Sequence, residues 1–288
     1  MNGFKYRHVP VILTLLAALL VPGTASAWAP SETASIHPGV QTFTEGAQCT
    51  SNFVFEDGAD VYLGQAAHCS GTGAATDTDG CTSTALPIGT AVEVTGASKP
   101  GTLAYSSWNT MQANDETDAN ACAYNDLALV RIAPEDVGSV NPSVPGFGGP
   151  TSVGATGGFG SAVYSWGNSS LRNGITKLSP KQGIVLQNEG DGWSHNVLTV
   201  TPGIPGDSGS GFLNDKGQAF GVLSTLQFAP AAGSNGVGDL AKELEYMRTH
   251  ASGLAGVSLV PGTEAFTPNL VGAILGSFRR HERRGSRS

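Results

Sequence analysis

Three short motifs carry side chains that together could cleave an acyl bond. The loop PGDSGSG at residues 205–211 places Ser208 between glycines, which exposes its hydroxyl and frees backbone N–H groups to bind an oxyanion. His68 lies in the sequence GQAAHC, and Asp126 lies in YNDLALV at the start of an apolar run. A base, an orienting acid and a nucleophile therefore follow one another in the order His68, Asp126, Ser208.

Each motif alone also has a structural interpretation. Clusters of Gly, Ser and Asp are common turn material, a histidine beside a strand usually packs, and an aspartate before a strand usually belongs to a turn. The combination, in this order, favours catalysis. Subtilisins and α/β-hydrolases arrange their triads in other orders.

Between about residues 40 and 252 the sequence resembles the trypsin/chymotrypsin-like serine peptidases, especially their compact bacterial members. The segments AAHC at 66–69, NDLAL at 125–129 and GDSG at 206–209 match the histidine, aspartate and serine motifs of that family. The resemblance implies a serine endopeptidase with His68, Asp126 and Ser208 as its triad. It also implies an oxyanion hole formed by the backbone N–H groups of Gly206 and Ser208.

The same resemblance locates the specificity pocket. Pro202 stands where trypsin-type members carry an acid, six residues before the nucleophile, so a preference for basic side chains is not expected. Ser224 begins the substrate-binding strand, and Leu226 stands where glycine often lines the pocket. A narrowed, neutral pocket predicts a small or medium apolar side chain before the cleaved bond.

Four cysteines lie between residues 49 and 122, and an even number in an exported chain suggests disulfides. Spacing alone allows three pairings. The resemblance implies Cys49–Cys69, which leaves Cys81–Cys122. No C-x-x-C pair suggests zinc, and we predict neither a metal nor a cofactor.

The ends of the chain predict export. Residues 1–27 combine Lys5 and Arg7 with an apolar run and a small-residue cleavage site, ASA at 25–27, which is typical of a signal peptide. We therefore expect a secreted protein without a stable membrane anchor. With a net charge of −8 it is a poor partner for nucleic acid, and we expect a monomer acting on proteins or peptides. Residues 279–288, rich in arginine, predict a disordered, solvated tail.

Composition favours an all-β fold, because 40 glycines and only 13% charged residues fit short strands and tight turns. Strand-like runs on both sides of a Pro- and Gly-rich segment at 134–149 predict two six-stranded antiparallel barrels. These barrels span about 40–133 and 150–236. A helix follows at 239–250, with Asp239 near its N-terminus, and the whole domain covers 28–278.

Three alternatives compete with the peptidase. One is a catalytically silent binding protein of the same fold, although such proteins usually lose a triad member. Another is an α/β-hydrolase esterase using Ser208 with Asp239 and His250, which lacks the alternating strand–helix pattern. The last is an exported β-rich adhesion module.

Overall fold

The computed structural model describes residues 28–74 and 77–276. The predicted signal peptide, the arginine-rich tail and the last two residues of the predicted domain lie outside these ranges. Within them, no helix has the length and apolar character needed to cross a membrane.

The N-terminal half is an eight-stranded antiparallel sheet in the order β14-β3-β4-β7-β6-β5-β1-β2. Its central strands, β4 and β7, are almost wholly buried, because each has a paired strand on both sides and the core on its faces. The strands are β1 (Gln41–Thr44), β2 (Ala47–Thr50), β3 (Val54–Asp57), β4 (Asp60–Ala66), β5 (Ala91–Val94), β6 (Gly101–Ser106), β7 (Leu127–Arg131) and, from the C-terminal region, β14 (Ser258–Leu259).

The C-terminal half is a closed antiparallel barrel in the order β10-β13-β12-β11-β8-β9. Each strand pairs with a neighbour on both sides over at least part of its length, and the interior is filled mainly by valine and phenylalanine side chains. The strands are β8 (Ala162–Trp166), β9 (Pro180–Glu189), β10 (Ser194–Thr199), β11 (Gly211–Asn214), β12 (Ala219–Gln227) and β13 (Ser234–Asp239).

The two halves share a hydrophobic core. A short 3-10 helix, Pro134–Ser139, begins the connection between them. One buried cluster includes Phe55 and Leu127 from the first sheet together with Tyr164 and Leu213 from the barrel. The ends of β4 and β7 therefore face β11 and β12 across a fixed junction.

Helices occupy the margins of this junction. They are α1 (Ser107–Ala113), α2 (Ala119–Tyr124) and α3 (Leu240–His250), followed by a short helix at 270–276. The Asp239 carboxylate accepts a hydrogen bond from the Lys242 N–H at 3.0 Å and so caps α3. Leu240, Leu244 and Met247 bury one face of α3 in the shared core.

The predicted all-β class, the six strands of the closed barrel and the C-terminal helix are confirmed. The N-terminal sheet has eight strands where six were predicted. The polar hairpin of β1 and β2 gives little β signal, and β14 is too short to show a pattern. Helices α1 and α2 were also not predicted.

Candidate active site

His68 and Asp126 meet where β4 and β7 run side by side. Ala66, the last residue of β4, pairs with Leu127, the first of β7. Because the strands are antiparallel, the residue that follows Ala66 lies beside the residue that precedes Leu127. The Ala67 N–H accordingly donates to the Asp126 carbonyl at 2.8 Å, and the 3-10 helix Ala67–Ser70 then presents His68.

The buried Asp126 carboxylate fixes the imidazole. Its Oδ1 accepts the main-chain N–H of His68 at 2.8 Å, and its Oδ2 lies 2.7 Å from His68 Nδ1. The Ser224 hydroxyl donates to the same Oδ2 at 2.6 Å. The carboxylate oxygen accepts both hydrogen bonds, which assigns the ring proton to Nδ1, and Nε2 makes no hydrogen bond among the described residues, as a general base requires.

The pKa of His68 is raised above its ordinary value of 6.5. Burial disfavours the imidazolium and lowers this pKa, but the negative charge of Asp126 and its hydrogen bond to the ring outweigh the burial. The imidazole is therefore more basic than a free histidine, which suits a group that must take a proton from a hydroxyl.

A second buried acid, Glu243 on α3, lies behind Asp126. Its Oε1 accepts the main-chain N–H of Asp126 at 3.0 Å, and its Oε2 is buried without a hydrogen-bond partner among the described residues. Burial raises the pKa of Glu243 well above its usual range, and the charges of Asp126 and Asp239 raise it further. The fold thus favours the protonated acid, which holds the Asp126 backbone without adding a charge.

Replacing Glu243 with glutamine should weaken the alkaline loss of stability. The pKa of Glu243 is higher in the folded than in the unfolded chain. Its contribution to the free energy of unfolding is therefore complete in acid, and is lost as the pH rises from about 4 through the pKa of the folded state. Glutamine keeps an acceptor for Asp126 and cannot ionise. In urea unfolding at several pH values, the free energy of unfolding of Glu243→Gln should decline less with rising pH than that of the native chain.

The variant Glu243→Leu leaves the Asp126 N–H without an acceptor, and should lower the free energy of unfolding by about 1–3 kcal/mol. Identical pH slopes for the native chain and Glu243→Gln would contradict this account.

The Ser208 turn lies where the first sheet meets the barrel. Gly206 and Gly209, on either side, have φ of +94° and +87°, a backbone region that favours glycine. The Ser208 carbonyl accepts the Thr50 N–H at 2.8 Å. A Cβ at Gly209 would lie 2.7 Å from the Ala66 nitrogen, so the turn packs directly on the segment that leads into His68.

Two backbone donors in this turn are free. Within the described residues, neither the N–H of Gly206 nor that of Ser208 donates a hydrogen bond. The Ser208 hydroxyl is partly exposed and is not hydrogen-bonded to His68 in the described structure. Such contacts are often loose in ligand-free enzymes and tighten when a substrate binds.

Asp207, beside the serine, is fully buried and anchors the turn. Arg172 donates to both carboxylate oxygens, at 2.9 Å and 2.7 Å, and Lys181 Nζ lies 3.0 Å from Oδ2. The backbone N–H groups of Ser169 and Ile204 complete the set, at 3.0 Å and 3.1 Å. The sequence did not indicate these partners, because neither Arg172 nor Lys181 lies near Asp207 along the chain.

The three predicted pocket residues have different surroundings. The Pro202 carbonyl accepts hydrogen bonds from Arg172 and Lys181, at 3.0 Å and 3.1 Å. The Ser224 hydroxyl donates its hydrogen bond to the Asp126 carboxylate. Leu226, further along β12, is 45% exposed.

A second histidine–aspartate pair is structural. His195 is buried, with Nδ1 2.9 Å from Asn188 Oδ1 and Nε2 2.9 Å from Asp239 Oδ2. Both ring nitrogens are therefore engaged, and Asp239 also caps α3. His250 stacks on Tyr246 at the end of α3. The esterase alternative, which needs Asp239 and His250 as acid and base, is inconsistent with these contacts and with the all-β fold.

Both expected disulfides are present, Cys49–Cys69 and Cys81–Cys122. The first joins β2 to the 3-10 helix that carries His68. The second joins α2, immediately before Asp126, to the loop at residue 81. Both therefore brace the segments that hold the His68–Asp126 pair.

Solved structures with this fold include bacterial serine proteases. Thermobifida fusca Protease A is 20% identical over 80% of this chain and 100% of its own, with a TM-score of 0.50. Cellulomonas bogoriensis chymotrypsin is 19% identical over 78% and 98%, with a TM-score of 0.47. A glutamic acid specific serine protease, described as using a histidine triad in substrate binding, is 20% identical over 78% and 100%, with a TM-score of 0.49. No protein-family model and no curated protein sequence matches the chain. The chain thus has the chymotrypsin fold.

Proposed function

We propose that this chain is a serine endopeptidase in which Ser208 is the nucleophile, His68 the general base and Asp126 the orienting acid. The observation that carries the proposal is the His68–Asp126 pair, in which the hydrogen bond to Asp126 places the ring proton on Nδ1. Beside it lies a serine turn in which two backbone N–H groups make no hydrogen bond among the described residues. Structural packing alone requires neither a free imidazole nitrogen nor unbonded N–H groups in one place.

Each of these residues has a separate role in hydrolysis of the peptide bond. Ser208 Oγ attacks the carbonyl carbon of the peptide bond while His68 Nε2 takes the hydroxyl proton. The N–H groups of Gly206 and Ser208 bind the oxyanion of the tetrahedral intermediate. His68 then gives its proton to the leaving amine, and water releases the acyl group from Ser208 by the same steps. Asp126 stabilises the imidazolium throughout.

The edge of β12 offers a place for an extended peptide. Pairing of β12 with β11 ends at Val222, whereas β12 continues along β13 to Gln227. Residues beyond Leu223 therefore present backbone groups to which a substrate can add as a further strand. A cleft of about 250 Å³ lies alongside, lined among others by Tyr124, Ser194 and Thr225.

We expect the specificity pocket to take a small or medium apolar side chain. At the positions that the family resemblance assigns to the pocket, Pro202 supplies no acid and Leu226 supplies an apolar side chain in place of the usual glycine. An ionised substrate side chain would therefore lose its hydration without gaining a countercharge.

Two features favour export of this protein from the cytoplasm. Two disulfides are typical of proteins that leave the cytoplasm, and the sequence of residues 1–27 is typical of a signal peptide. We accordingly assign the peptidase domain to residues 28–278 and its action to protein or peptide substrates outside the cell.

The assignment is tested with the chain from Trp28 and its Ser208→Ala variant, each incubated with a mixed peptide library and analysed by mass spectrometry. We expect cleavage by the native chain alone, with small or medium apolar residues before the cut. Equal peptide patterns from both proteins would argue for the catalytically silent binding protein instead.

The pH dependence of kcat/KM should reflect His68. The base must be neutral to accept a proton, so kcat/KM should rise with pH and reach half its plateau above pH 6.5, because the pKa of His68 is raised. Initial rates across a pH series provide the measurement. A midpoint at or below 6.5 would mean that Asp126 does not act on the imidazole as described.

A further inference from the structure

The orientation of the Gly206 N–H depends on the peptide that joins Pro205 to Gly206. This peptide is trans, so its carbonyl and its N–H point in opposite directions. Glycine at φ +94° imposes little preference for one face of the peptide over the other. If the peptide turned over, the Pro205 carbonyl would replace the N–H in the oxyanion hole and repel the developing charge.

One side chain holds that carbonyl on the far side. The Ser169 hydroxyl donates to the Pro205 oxygen at 2.6 Å, the shortest side-chain hydrogen bond to this turn among the described residues. Ser169 is buried, its Oγ accepts the Leu171 N–H at 3.1 Å, and its own N–H donates to Asp207 at 3.0 Å. The hydroxyl proton therefore has a fixed direction, toward Pro205.

The next carbonyl is held from the opposite half of the molecule. The Gly206 oxygen accepts hydrogen bonds from Thr50 Oγ1 at 2.7 Å and from Gln48 Nε2 at 2.9 Å, both on β2. Because the carbonyls on both sides of the Gly206 nitrogen are held by hydrogen bonds, the direction of its N–H is fixed, and this N–H has no acceptor among the described residues.

We propose that Ser169 is a positioning residue for the oxyanion hole, whose hydroxyl keeps the Gly206 N–H aimed at the substrate oxyanion, with Thr50 as its counterpart across the junction. The proposal rests on the peptidase function proposed above. A group that acts through the oxyanion hole strengthens binding of the transition state more than binding of the substrate.

The test compares Ser169→Ala, Ser169→Thr and Thr50→Val in the chain from Trp28, with Ser170→Ala as a matched control. Ser170 is the exposed neighbour of Ser169, and its hydroxyl makes no hydrogen bond in the described structure. For each variant, kcat and KM are measured on a peptide amide, together with the affinity for the corresponding peptide aldehyde, which forms a tetrahedral adduct with the serine.

Ser169→Ala should lower kcat on the order of 10- to 100-fold, less than complete loss of an oxyanion donor, while KM changes by about twofold or less. Its affinity for the aldehyde should fall by a similar factor, and Ser169→Thr should restore both. Ser170→Ala should match the native chain. Thr50→Val, nearly isosteric, should lower kcat by a smaller factor because Gln48 still holds the Gly206 carbonyl.

Native kcat in Ser169→Ala, or a loss confined to KM, would overturn the positioning role. If Ser169→Ala does not fold, judged by its melting temperature, unchanged kcat in Thr50→Val would overturn it instead. A native chain that neither cleaves peptides nor reacts with a serine-directed phosphonate would overturn the peptidase function, and this inference with it.

Discussion

Replacing His68 with alanine should lower kcat/KM for a peptide substrate by a factor on the order of 10⁴ to 10⁶. We assign removal of the Ser208 proton to the His68 imidazole, because among the described residues Asp126 is hydrogen-bonded behind that ring and His195 has both nitrogens engaged. Residual activity should come from binding and from the two free backbone donors. Initial rates over a range of substrate concentrations measure the effect.

His250→Ala is the matched control, because His250 is an exposed histidine whose ring stacks on Tyr246 far along α3 from the β4–β7 junction. It should keep native kcat/KM. Intact disulfides and an unchanged circular dichroism spectrum would show that His68→Ala is folded. A folded His68→Ala variant with near-native rates would mean that a different group activates the nucleophile.

Replacing Asp207 with alanine should lower the free energy of unfolding by about 3–5 kcal/mol. The substitution leaves two cationic side chains, Arg172 at 6% exposure and Lys181 at 0%, without their carboxylate. Burial, chiefly, and the nearby charge of Arg172 already lower the pKa of Lys181 to about 8 despite the pairing with Asp207. Without Asp207, both cations must reorganise, reach water or, for lysine, lose a proton.

Urea unfolding at neutral pH measures this loss, with Asp215→Ala as the control. Asp215 lies on the exposed turn after β11, and its removal should change stability by about 0.5 kcal/mol or less. Asp207→Ala should also lose activity, because the turn that carries Gly206 and Ser208 is anchored through this carboxylate. A cost near that of Asp215→Ala would show that the buried ion pairs do not hold the turn.

The candidate site could be predicted because it rests on a few residues in fixed motifs. His68, Asp126 and Ser208 stand in such motifs, and the contact between His68 and Asp126 follows from the pairing of the strands that precede and follow them. The cysteine pairing was implied by the resemblance, since spacing left three possibilities open.

Other parts of the fold could not be predicted from local sequence patterns. Strand β13 has the sequence SNGVGD, which looks like a turn, yet all six residues are buried. Its glycines are required by neighbours distant in sequence: a Cβ at Gly236 would lie 2.4 Å from Thr225 Oγ1, and one at Gly238 would lie 2.6 Å from Glu243 Oε1. Strand propensity carries no information of this kind.

The supporting polar residues were missed for the same reason. Arg172, Lys181 and Ser169 all act on the turn at residues 205–208, from about 25 to 40 residues away along the chain. Burial of a charged side chain depends on a partner brought by the fold, and neither the burial nor the partner is visible in the residues on either side.

Covalent labelling can show whether Ser208 is a nucleophile that His68 activates. The native chain from Trp28, Ser208→Ala and His68→Ala are treated with a peptidyl phosphonate, and the modified residue is located by mass spectrometry of proteolytic fragments. We expect one phosphonyl group per native molecule, on Ser208, with none on Ser208→Ala and greatly slowed labelling of His68→Ala. Labelling of another residue, or equal labelling rates with and without His68, would contradict it.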